Sequence, residues 1–229
     1  MADSGWRIRN TQSAIPACPA DRQHPRSKIV IALAFLFFTQ GLVFSEDNPL
    51  VDIQKVNPRI RLDIRYATTD NFMKEKLYPE ARCLVRKEIA AKLSRIQDAL
   101  ERKGLGLKVF DAYRPLSVQK KLWARFPVEG YVANPAKGSN HNRGMAVDVT
   151  LVDEEGKELP MPSAYDEFSE RSHRDYQGAP PAELENRETL EQEMEKEGFL
   201  GLSTEWWHFD DKDAKNYPAL DLAFNTVAE

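Results

Sequence analysis

Cysteine is nearly absent from this chain. There are two in 229 residues, Cys18 and Cys83. Cys18 falls in what reads as an N-terminal leader, which leaves the body of the chain one thiol. A single thiol closes no intramolecular disulfide and builds no thiolate zinc cluster. An excess of positive charge is also missing. The 32 basic side chains stand against 36 acidic ones, a net charge of −4. That balance argues against nucleic acid as a partner, since phosphate binding needs clustered Lys and Arg. There is no internal repeat and no low-complexity segment, so a solenoid or a disordered tract is not expected. Any metal site must come from carboxylates and from the few histidines, four in all.

Long apolar runs are lacking too, with one exception. Residues 29–44 read IVIALAFLFFTQGLVF, with Arg26 and Lys28 just before and Ser45 just after. The core of the run, Ile29 to Phe38, suits the apolar region of an export signal better than a full membrane span. Its 28-residue lead-in is long for such a signal. The expectation is cleavage after Ser45 and an exported protein, periplasmic or secreted. The alternative is a retained anchor at residues 29–44, which would be the chain's one contact with a membrane. Residues 1–45 are then extension and signal, and residues 46–229 are one domain. Cleavage removes five basic and two acidic side chains, leaving 27 against 34 in 184 residues. That length can bury a sizeable core.

Within the domain, Ile60–Tyr66 alternates apolar and charged residues, a half-buried strand pattern. Ile89, Leu93, Ile96 and Leu100 make one stripe of a helix over Glu88–Lys103, and Gly104 is placed to stop it. Leu107–Ala112 is a short strand, and Pro115 opens a helix running to about Phe126. Ala146–Val152 and Thr204–Phe209 read as strands, and Ala182–Glu197 as a charged helix. Pro160–Pro181 has little periodicity, and a loop of that length in a compact domain is usually functional. Helices interleaved with non-consecutive strands predict an α+β domain, a small antiparallel sheet flanked by helices.

Two stretches carry candidate chemistry. One is Ser139-Asn-His141-Asn-Arg-Gly144-Met-Ala-Val-Asp148, and the other is Glu205-Trp-Trp-His208. Together they hold two imidazoles and one carboxylate for a metal, with a carboxylate to spare as a base. Read singly, each residue has a plainer role. Asp148 falls on the opposite side of its strand from Val147, Val149 and Leu151, so it could face solvent. His141 could be an ordinary loop histidine, and Glu205 could turn outward. Arg114, at a strand end entering a helix, could present a fixed guanidinium to an oxyanion or form a surface ion pair. The second stretch also sets a geometric demand. Residues three apart on a regular strand point to opposite faces. Glu205 and His208 can serve one site only if the strand bulges between them.

The combination Ser139-x-His141-x-x-Gly144-x-Ala146-x-Asp148 with Glu205-x-Trp207-His208 resembles the signature of the zinc D-alanyl-D-alanine metallopeptidases. Further runs resemble the dipeptidase branch linked to vancomycin resistance: Arg65–Phe72, Asp111–Pro115, Tyr165–His173 and the doubled Trp206-Trp207. The resemblance spans roughly Val51 to Asp210, and the long lead-in and polar tail depart from it. It implies the fold of that family, which is hedgehog-like. It also implies one Zn2+ per chain, held by His141, Asp148 and His208. Glu205 is implied as general base, Arg114 as oxyanion stabiliser, Asp166 as holder of a dipeptide's ammonium, and Tyr66 and Ser139 as pocket residues. His173, in a matching run, is read as a loop-fixing residue. The implied activity is hydrolysis of D-Ala-D-Ala in cell-wall peptide turnover. The alternatives are a D,D-carboxypeptidase or peptidoglycan endopeptidase of the same fold, or a catalytically silent peptide-binding module. The small dipeptide is the only partner expected, with no nucleic acid and no protein partner.

Overall fold

The structure is a computed structural model that describes residues 48–227. The expected leader and its cleavage after Ser45 lie outside the described residues. Among the described residues no helix is long and apolar enough to cross a membrane.

The elements in chain order begin with β1 (Leu50–Asp52), α1 (Ile53–Val56), β2 (Arg61–Leu62), β3 (Leu84–Arg86), α2 (Lys87–Glu101) and β4 (Leu105–Asp111). There follow α3 (Leu116–Arg125), β5 (Ala146–Asp153), α4 (Pro181–Lys196), β6 (Phe199–Leu202) and β7 (Glu205–Asp211). Strands β1 and β3 pair in a small antiparallel ribbon, and a five-stranded sheet has the order β2-β4-β5-β7-β6. The domain is α+β, as the alternating pattern predicts. The sheet is mixed rather than wholly antiparallel, because the edge strand β2 joins β4 in parallel.

Helices α2 and α4 pack on each other and against the sheet. The α2 stripe of Ile89, Leu93, Ile96 and Leu100 is buried, as are Leu190 and Met194 of α4. Burying such a side chain is worth roughly 1.5–3 kcal/mol, so the stripe is what fixes α2 on the sheet. Gln97 adds a polar peg, its Oε1 accepting from the Leu107 amide at 2.8 Å.

Two sequence expectations change. The strand expected over Ile60–Tyr66 ends after Leu62, and a 3-10 turn spans Arg65–Ala67. The Tyr66 carbonyl there accepts from the amides of both Leu77 and Tyr78. That turn aims Tyr66 inward. Asp148 does not face solvent, because nearly the whole of β5 is buried on both faces. The second face is covered by the loop before α4, where Tyr165 stacks on Phe110 at 4.5 Å and meets Trp207 edge-on at 5.4 Å. Alternation identified the face but not what covers it.

Candidate metal centre and substrate cavity

The centre is built on a row across the sheet. Asp148 of β5 pairs directly with His208 of β7, and Asp111 of β4 with Asp148 on its other side. Paired residues on neighbouring strands project to the same face, so Asp111, Asp148 and His208 stand side by side. His141 enters from the loop before β5. It lies on a 3-10 turn that Gly144 ends in the left-handed conformation, φ 69°. A Cβ at Gly144 would lie 2.6 Å from Leu50, so glycine is required there for both conformation and space. The close approach is to β1 and not to a metal or ligand.

The required bulge is present. Gly201 of β6 pairs with Phe209, but Leu202 pairs with Glu205. One step along β6 thus spans four along β7, and regular alternation is broken between Glu205 and His208. The Glu205 carboxylate comes to 4.0 Å from His208 Nδ1, beside the imidazole but outside hydrogen-bond reach.

Three atoms converge. His141 Nε2 lies 3.1 Å from His208 Nδ1, and both face Asp148 Oδ1, at 3.3 and 3.0 Å. The far nitrogen of each ring is occupied. His141 Nδ1 lies 2.7 Å from the Ala112 carbonyl, and His208 Nε2 lies 3.0 Å from Asp210 Oδ1. With those N–H groups donating outward, neutral rings turn two lone pairs toward a carboxylate. That arrangement repels itself unless a cation sits among the three atoms. Tetrahedral zinc at roughly 2.0–2.1 Å from each ligand would separate them by about 3.3 Å, close to the spacings seen. The donor set and its outward hydrogen bonds fit a divalent zinc.

The charges show the same demand. Burial works against ionised Asp148, yet His141 and His208 hold its carboxyl far below the usual range. Burial opposes a charge on His208 as well, but Asp210 and Asp148 raise its pKa well above the ordinary histidine value. Glu205 is pushed up to about 8 by burial, with His208 opposing.

These groups open on a cavity of about 260 Å3 lined also by Tyr66, Arg114, Ser139, Asp166 and Trp207. Arg114 is nearly buried and tightly held. Its Nε and Nη2 donate to Asp111 Oδ2 at 3.1 and 2.6 Å, and Nη1 donates to Gln119 Oε1 at 2.9 Å. Asp111 also accepts from the Tyr78 hydroxyl at 2.7 Å. Asp166 adopts φ 61°, a strained value for a non-glycine residue. Its Oδ2 is shielded from solvent and has no hydrogen-bond partner. Burial raises its pKa well above the carboxylate range, Asp148 and Glu205 adding to that and Arg114 opposing. Tyr66 Oη lies 3.5 Å from Asp166 Oδ1, and Ser139 Oγ accepts from the His141 amide at 3.2 Å. All eight expected site residues therefore border one cavity. His173 stands apart, its Nε2 3.3 Å from the Tyr131 hydroxyl.

Sequence reading did not single out Asp210, Tyr165 or Asn142. Asp210 orients His208. Tyr165 donates to Asp148 Oδ2 at 3.0 Å. Asn142 ties the His141 turn to Arg114, donating to the Arg114 carbonyl at 2.8 Å and accepting from the Ser139 amide at 2.8 Å. The two-residue period of a strand would have found Asp210, which shares a face with His208.

Two imidazoles and a carboxylate that could hold a metal, with a further carboxylate beside them, fit a class, the hydrolytic metal centres with an open fourth position. The sequence comparisons narrow that class. The peptidase M15 family model, described as D-ala-D-ala dipeptidase, matches residues 46–227, and the chain belongs to this family. It is 40% identical over 181 residues to a D-alanyl-D-alanine dipeptidase of Escherichia coli, covering 79% of this chain and 94% of that one. A D-alanyl-D-alanine dipeptidase of Enterococcus faecium is 33% identical over 183 residues, covering 69% and 89%. Among solved structures, that of the LD-carboxypeptidase LdcB is similar at a TM-score of 0.45 and 20% identity, covering 79% of each chain.

Proposed function

We propose that this chain is a zinc dipeptidase that hydrolyses free D-Ala-D-Ala to two D-alanines. One observation carries the choice of a dipeptide. The unpartnered, buried Oδ2 of Asp166 borders the same cavity as the His-Asp-His cluster. A buried carboxyl oxygen without a partner is costly, and a substrate ammonium would satisfy it and draw the raised carboxyl into its charged form. The cavity, at about 260 Å3, lies below the roughly 300–1,000 Å3 of drug-sized sites, in keeping with a very small substrate.

His141, Asp148 and His208 would hold the zinc, whose bound chemistry is Lewis-acid activation of water and of the scissile carbonyl. Glu205, beside the ligands and held off them, takes a proton from the attacking water. It returns that proton to the leaving amine as the C–N bond breaks. Burial gives Glu205 a raised proton affinity, which suits the second half of that transfer. Arg114, fixed by Asp111 and Gln119, presents its remaining N–H groups to the developing oxyanion. Asp166, with Tyr66 beside it, binds the substrate ammonium. Ser139 holds the His141 turn at the cavity edge. The protein's residues thus supply a cationic and an anionic end within one small space.

A D,D-carboxypeptidase or endopeptidase would act on stems in which the amino group of the residue before the scissile bond is locked in a peptide bond, so no α-ammonium reaches Asp166. Parallel assays on free D-Ala-D-Ala and on a pentapeptide stem separate the readings. Cleavage confined to the stem would overturn the dipeptidase.

The same proposal places the protein outside the cytoplasm, periplasmic or secreted, acting on dipeptide from cell-wall turnover. Its support is the apolar run 29–44 behind Arg26 and Lys28, and a family match that starts at residue 46. Mass spectrometry of the exported protein should find Glu46 as its first residue; an intact leader would mean an anchor.

A further inference from the structure

The bulge in β7 has to be held open. Strand pairing alone favours regular alternation, which would turn Glu205 and His208 to opposite faces. Between Gly201 and Leu202 the β6–β7 ladder is interrupted, so carbonyls there need other donors. One side chain supplies them. Arg174, from the segment between the cavity loop and α4, is almost buried, its side chain 10% exposed. Its Nε donates to the Leu202 carbonyl at 3.0 Å, and its Nη2 donates to the His208 carbonyl at 2.7 Å. Those carbonyls stand on the two strands across the interruption. Its own amide donates to Ser203 O at 3.0 Å, and the guanidinium lies over the Phe209 ring at 4.3 Å. Glu191 of α4 lies 3.1 Å from Nη1.

Space for this fork is made by Gly201. A Cβ at that position would lie 2.2 Å from both Cζ and Nε of Arg174. The glycine is not in the left-handed region, so the close approach of the guanidinium is what requires it.

We propose that Arg174 is a positioning residue for the metal centre. Its planar fork pins the His208 and Leu202 carbonyls across the β7 bulge, and so keeps the His208 imidazole and the Glu205 carboxylate directed into one cavity. It touches neither metal nor substrate. Lysine cannot replace it, because one ammonium on a flexible stem does not hold two carbonyls at fixed separation. The kinetic half of this inference rests on the dipeptidase reading, whereas the metal-affinity half does not.

The test uses Arg174→Lys and Gly201→Ala in the full-length protein. Arg82→Lys serves as the control. Arg82 likewise donates to two backbone carbonyls, of Phe224 and Val227, and pairs with Asp52, away from the cavity. Zinc affinity is measured by competition with a chelating dye, kcat and KM on D-Ala-D-Ala, and Tm alongside. Arg174→Lys is expected to weaken zinc binding by about 10- to 100-fold, as loss of an orienting partner does. With zinc saturating, kcat should fall about 100-fold, the scale of a misplaced catalytic group, and more than KM changes. Gly201→Ala should reproduce both effects with the arginine still present, and it decides the matter if Arg174→Lys does not fold. Arg82→Lys should lower Tm with zinc affinity and kcat unchanged. Zinc affinity and kcat in Arg174→Lys or Gly201→Ala no more altered than in Arg82→Lys would overturn the proposal. If the unaltered protein leaves D-Ala-D-Ala intact, the dipeptidase reading fails, and zinc affinity alone still decides the role of Arg174.

Discussion

The metal-facing wall of the cavity hangs on a hydrogen-bonded ladder, and the opposite wall hangs on loops. Asp148 and His208 face each other across the pairing of β5 and β7, and the outward nitrogens of both histidines already have partners. On the other wall, Tyr66 sits on a 3-10 turn and Asp166 on a long loop at positive φ, one carboxylate oxygen unpartnered. The ladder side is complete in itself apart from a cation. The loop side is left incomplete, with a strained backbone and an orphan acceptor. Such features are stored at sites that act on something else. On the proposed reading the metal wall is preorganised by the sheet, and the substrate wall is completed by what binds there.

The sharpest break of this comparison lies within β7. Glu205→Ala should keep zinc at one per chain and lose roughly 100- to 10,000-fold in kcat, the worth of a general acid–base group. His208→Ala should lose zinc and rate together. Metal analysis beside steady-state kinetics separates the two, and a near-normal rate in Glu205→Ala would remove it from the mechanism. A step smaller is Asp210→Asn. It exchanges the carboxylate behind His208 Nε2 for an amide and should weaken zinc binding by about 10- to 100-fold, with KM little changed at saturating zinc. A dye competition titration reads this. Unchanged affinity would mean that the ladder alone orients the imidazole.

The division between ladder and loop also governs what the sequence discloses. The candidate ligands were legible only in combination: taken singly, His141 read as a loop histidine, and it was the resemblance of the joint signature that implied His141, Asp148 and His208 as one set. The bulge was legible as a demand, since Glu205 and His208 are three apart on an evident strand. Strand β6 was not legible, since Phe199–Leu202 is four residues carrying no alternation. Nor was the truncation of the strand at Ile60, because charge alternation continues into residues that fold as a turn. Asp148 read equally well as solvent-facing, because a strand pattern does not show that Tyr165 and Trp207 cover its second face. Asp210 looked like an ordinary acidic end to a strand. Arg174 carried no signal, because its partners are backbone carbonyls, which every residue has.

On the loop wall, Asp166→Asn should act on binding. Removing a charge-assisted contact worth about 1.5–3 kcal/mol raises KM about 10- to 100-fold, with zinc content intact and kcat lowered less. Loss of zinc in this variant would mean that the walls are not independent. A rise in kcat/KM for longer stems would show that Asp166 is what excludes them.

The mildest probe compares the two walls through pH in the metal-free protein. Glu205 is held at about 8 by burial, and Asp166 is raised also. In the unfolded chain both carboxyls ionise near their ordinary values, about 4. Stability from a raised folded pKa is complete below the unfolded value and is lost as pH rises through the folded one. His208 is raised as well, so its contribution is complete below about 6.5 and falls as pH climbs. Asp148 is depressed and has the opposite sign, but its contribution is already complete above about pH 5. The metal-free fold should therefore lose stability from about pH 5 to 8, by a few kcal/mol, each worth about 2–4 °C of Tm in a domain this size. Zinc reverses the sign on the ladder side, because the ligands bind it deprotonated and its binding strengthens as pH rises. Scanning calorimetry from pH 5 to 8, with chelator and with zinc, should give Tm slopes of opposite sign. In Asp166→Asn the metal-free slope should become shallower while the zinc-loaded rise persists. Parallel slopes in the two states would mean that no cation binds at the ladder.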